Sequence, residues 1–95
     1  MPIFLAIPLK PDSSALNAAV ISTIPDTARH QLQADRGWLI KYDGTTIELS
    51  NHIGISGQAD GEPVAIGSAL VVPISGYYGR GPNDMWEWLK VRFEQ

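Results

Sequence analysis

The sequence predicts an α+β domain in which helices cover one face of a four-stranded antiparallel sheet, with a further helix at the C-terminus. Three observations carry that expectation. Short runs rich in β-branched residues lie near the beginning and towards the end of the chain. Two more such runs, joined by a turn, lie between them. Stretches with apolar residues at helical spacing separate the runs.

The first run, Ile3 to Leu9, reads as a buried strand that Lys10-Pro11-Asp12 brings to an end. Asp12 or Ser13 can cap a helix, because their side-chain oxygens accept the free amide protons of its first turn. Ala15, Leu16, Ala19, Val20, Thr23 and Ile24 recur at helical spacing, so they form the face turned to the sheet. Pro25 stops that helix by pushing the residue before it out of helical geometry.

His30 to Gln33 and Trp38 to Tyr42 flank Ala34-Asp35-Arg36-Gly37 and read as a β-hairpin, with Leu32 and Leu39 on its apolar side. Thr45-Thr46-Ile47-Glu48 spells a capping box. A short helix through about His52 follows, with Ile47 and Leu49 or Ile53 inward and Gly54 as its stop. Residues 56–67 are rich in glycine and turn formers and read as a loop. Ser68 to Ser75 is the last strand. Pro73 inside it lacks an amide donor, which points to a sheet edge or a bulge. Pro82 or Asn83 starts the terminal helix, with Met85, Trp86, Leu89 and Phe93 on one face.

The order is thus β-α-β-β-α-β plus a helix, which is the split-βαβ, ferredoxin-like plan. The extra helix can lie along the open face of the sheet or join a second copy.

At 95 residues, 44% hydrophobic and 18% charged, the chain is expected to form a single compact domain over 1–95. There is no cysteine, which excludes disulfide scaffolds, thiol catalysis and cysteine-bound zinc. A net charge of −3 and a pI near 5.1 argue against broad contact with nucleic-acid phosphates. The apolar start, Met1 to Leu9, has no basic flank or cleavage site and is too short to span a membrane, so a cytoplasmic protein is expected.

The stretch from Ile3 to Leu9, the hairpin ending WLIKYDG, the capped helix TTIEL and the strand ALVVPISG resemble the SinR-like small proteins. These are related to the nuclease-like family of CRISPR spacer acquisition. The resemblance covers residues 3–78. It implies a ferredoxin-like fold, a homodimer and a setting in bacterial or phage defence. The nuclease-like relatives carry a metal-holding aspartate at the end of the first strand. This chain has Ala6-Ile7-Pro8-Leu9 there, with no carboxylate, which puts metal chemistry in doubt.

Other constellations are sparse. His30 and His52 have no metal-ligand spacing. No serine sits in a nucleophile elbow, and the Asp-Gly pairs read as turns. The most unusual segment, Gly76-Tyr77-Tyr78-Gly79-Arg80-Gly81-Pro82, runs into Met85-Trp86-Glu87-Trp88. Aromatic and Arg side chains anchor interfaces, which makes Tyr77, Tyr78, Arg80 and Trp88 the candidate interaction residues. The same mix can fill a core or stack bases, and the glycine-rich loop with Arg80 can grip an anion. The expected function is a non-catalytic interaction or inhibitor module, homodimeric and with a protein partner, without metal, cofactor, nucleic acid or membrane. A metal-dependent nuclease and an anionic-ligand domain are the alternatives.

Overall fold

Strand β1 (Ile3–Pro8) alternates its side chains between two apolar layers, and the rest of the fold is arranged around that alternation. The computed structural model describes residues 2–58, 66–76 and 79–93. Their order is β1, α1 (Ser14–Thr23), β2 (Arg29–Gln31), β3 (Trp38–Lys41), α2 (Thr46–Ile53), β4 (Ala69–Ile74) and α3 (Asn83–Phe93). The strands form one sheet in the order β2-β3-β1-β4, with every neighbouring pair antiparallel.

Phe4 and Ala6 of β1 and Trp38 and Ile40 of β3 face α1 and α2. There they pack with Leu16, Val20, Ile24, Leu49, Ile53 and Ile66. Ile3 and Leu39, at the opposite parity, meet Trp88 and Leu89 of α3, with Leu5, Leu32, Ile74, Met85 and Trp86 around them. The sheet therefore carries helices on both faces, and α3 covers the one that α1 and α2 leave open.

Local sequence explains the elements. Asp12, just ahead of α1, accepts from the backbone amide of Ser14 at 2.9 Å and from its hydroxyl at 2.7 Å. Ser13, at the cap position, makes no side-chain cap bond. Thr45 and Glu48 close both halves of the capping box, and Gly54 ends α2 in the left-handed region at φ 101°. Prolines fall where no donor is needed. Even-numbered residues of β1 turn towards β3, as the Tyr42 amide donating to the Pro2 carbonyl marks. Pro8 lies beyond Ala6, the last β1 residue paired with β3.

Three expectations change. The hairpin strand is Arg29–Gln31, not His30 to Gln33, because Gln33–Asp35 coils into a tight turn with Ala34 and Asp35 at positive φ. The Leu32 amide then closes the loop on the Gly37 carbonyl at 2.8 Å. Gly37 is required there, since at its φ of 132° a Cβ would stand 2.3 Å from the Ala6 carbonyl oxygen. Ile47 is not inward but 73% exposed. At about 100° per residue, Ile47 lies on the side of α2 opposite Leu49, so the two cannot share a face. Trp86 is half-buried, whereas Trp88 is buried at 9%. Most of the loop read over 56–67 falls outside the described residues. No helix among the described residues is long and apolar enough to cross a membrane.

Candidate interaction surface

Several ionisable side chains of the fold hold it together. Helix α1 leaves carbonyls unmet at its C-terminal end, and two donors from other elements reach them. Arg29 donates to the carbonyls of Ile24 and Ile21. His52, stacked on Tyr42 at 5.5 Å, places Nε2 3.0 Å from the Thr23 carbonyl, which can only accept, so Nε2 donates. On the other face of the sheet, His30 lies against Trp88 at 6.1 Å with its Nε2 4.0 Å from Asp84. Arg92 covers the Trp88 ring at 5.0 Å and donates to the Thr27 carbonyl at 2.7 Å, tying the end of α3 to the segment before β2.

Neither histidine is set against a nucleophile. A chain of hydroxyls among the described residues runs from Ser50 to Ser56 at 2.7 Å and from Ser56 to the Asn51 amide oxygen at 2.6 Å. Ser56 spends its proton on Asn51, so Ser50 is the donor between the serines. The relay ends on a neutral amide oxygen, which cannot serve as a general base. Among the described residues, no three of His, Asp and Glu stand together as a metal site. The Asp12 carboxyl is held below its ordinary value of 3.8, first by the Ser14 amide, then by the Ser14 hydroxyl, with Lys10 adding attraction.

Two of the four sequence-predicted interaction residues, Arg80 and Trp88, are among the described residues. Arg80 is exposed. Trp88 is in the second core, beneath Arg92, where it has little ring to offer a partner. Tyr77, Tyr78 and the side chain of Phe93 lie outside the described residues.

The β4 edge, which Pro73 marks in the sequence, is a second candidate surface. Beside it lies a groove of about 370 Å³ lined by Ile47, Ile55, Ala69 and Val71 on its apolar side and by Ser50 and Ser56 on its polar side. Ile47 and Leu70, exposed by 73% and 46%, mark the same region. A signal existed in the sequence. Leu49 and Ile53 are spaced one helical turn apart, so Ile47 is an apolar residue off the buried stripe. Compared with protein-family models, with curated proteins and with solved structures, the chain matches none.

Proposed function

We propose that the chain is a non-catalytic protein-interaction or inhibitor module of ferredoxin-like plan, and that it acts as a homodimer. The antiparallel sheet order β2-β3-β1-β4, with a helix between β1 and β2 and another between β3 and β4, supports that plan. The observation that carries the interaction reading is the character of β4. It is an edge strand, uncharged along its length, bordered by an apolar groove and by two exposed aliphatic side chains. An unprotected edge of this kind is a template for another strand. The engagement of Arg29, His52, His30 and Arg92 in capping and packing supports a role without chemistry. The defence setting implied by the SinR-like resemblance belongs to the same proposal.

Light scattering at micromolar concentration tests it. The expected mass is twice the 10.3 kDa of one chain. A single-chain mass across that range overturns the homodimer. Magnesium-dependent cleavage of RNA or DNA that disappears in Asp12→Ala overturns the non-catalytic reading.

A further inference from the structure

Which backbone groups β4 turns outward follows from its pairing with β1. The Leu9 amide donates to the Ser68 carbonyl at 3.0 Å, continuing the register in which Pro8 faces Ala69 and Ile7 faces Leu70. In an antiparallel ladder a residue sends its N–H and C=O to the same side, and the side alternates along the strand. Leu70, Val72 and Ile74 therefore turn towards β1, and Ala69, Val71 and Pro73 turn outward. Pro73 fits this assignment, since its missing donor then costs the β1 ladder nothing.

The free edge thus offers the amides of Ala69 and Val71 and the carbonyls of Ala69, Val71 and Pro73. Resting on the homodimer reading above, we propose that this edge pairs with the same edge of a second copy, antiparallel, about a two-fold axis through Leu70. Ala69 then faces the second copy's Val71, and every outward donor meets an outward carbonyl. An axis at Val71 would set Ala69 against the second copy's Pro73, and one at Val72 would set Val71 against it. Either leaves a carbonyl opposite a residue that cannot donate. Only the axis at Leu70 among these three lets Ala69 and Val71 satisfy each other's donors and acceptors in full, with Pro73 outside that pair.

Side chains and charge agree with a second copy as the occupant. At the axis Leu70 meets its equivalent as a non-hydrogen-bonded pair, the closest approach an antiparallel sheet allows, which covers a side chain otherwise 46% exposed. No charged residue lies between Ser68 and Gly79, so self-pairing brings no like charges together. The opposite edge, β2, differs. Arg29 and His30 occupy most of its length, and both are engaged within the chain.

Because the chain has no cysteine, single thiols report the geometry cleanly. In the proposed register the Leu70 Cα atoms stand about 4.5 Å apart, within the range a disulfide spans. Leu70→Cys is expected to cross-link to a dimer under mild oxidation, while the exposed Ile47→Cys and Ser75→Cys remain largely uncross-linked. In parallel, Leu70→Lys is expected to weaken the dimer by about tenfold or more, with an unchanged far-UV spectrum, by placing two ammonium groups at the axis. A dimer by light scattering in which Leu70→Cys cross-links no faster than Ser75→Cys overturns this register and leaves the homodimer standing. A single-chain mass for the unsubstituted protein overturns both.

Discussion

Two buried tryptophans show how differently one residue type can be satisfied. The Trp38 indole nitrogen donates to the Asn17 side-chain oxygen at 2.9 Å, joining β3 to α1. Trp88, buried on the other face, has no partner for its indole nitrogen. Replacing each by phenylalanine removes a similar volume. Only at Trp38 does it break a hydrogen bond and strand an acceptor, so Trp38→Phe is expected to cost about 1 kcal/mol more than Trp88→Phe in urea titrations. Equal costs would contradict the assignment. Asp12 gives a pH-dependent counterpart. Its carboxyl is depressed in the folded chain, so its contribution is present above the ordinary value of 3.8 and is lost as pH falls through the lower folded value. Asp12→Asn should therefore be less stable than the parent near neutral pH, and the gap should close on acidification below the ordinary value. A gap that is constant with pH would show that the Ser14 contacts do not favour the charged form.

Elements differ in how far the sequence discloses them. Helix α2 was fully legible at its ends, because Thr45, Glu48 and Gly54 act through neighbours a few residues away. Its inward face was only half legible, since Ile47 and Leu49 are both aliphatic and only helical phase separates them. Leu49→Ala is expected to cost roughly 2–5 kcal/mol, whereas Ile47→Ser should change stability by no more than about 0.5 kcal/mol. Comparable losses in thermal unfolding would mean that the helix is rotated from its described position. The hairpin was less legible. The positive φ at Ala34 is not what alanine prefers, so no local signal in the sequence announces the tight turn over Gln33–Asp35.

At the scale of the whole molecule, the C-terminal helix takes the first of its two expected places, along the face of the sheet that α1 and α2 leave open. The aromatic content of α3 announced a buried face. Whether Trp86 or Trp88 lay deeper depended on where the helix crosses β3 and β1, which no local pattern encodes. The groove beside β4 was hidden for a similar reason. Pro73 marked an edge strand, but the groove beside it exists only once α2 and β4 are packed together. The aromatic loop drew notice by composition, while the edge it adjoins is made of ordinary aliphatic residues. With both faces of the sheet covered and β2 occupied by Arg29 and His30, β4 is the described strand left to receive another chain. Amide hydrogen exchange at Ala69 and Val71, followed as a function of protein concentration, tests that claim most directly. In a single chain these amides face solvent and exchange fast, and in the edge-paired dimer they are bonded. Slow exchange at concentrations where the dimer forms, turning fast on dilution while Leu70 and Val72 stay protected, is the expected result. Exchange at Ala69 and Val71 that is independent of concentration would contradict it.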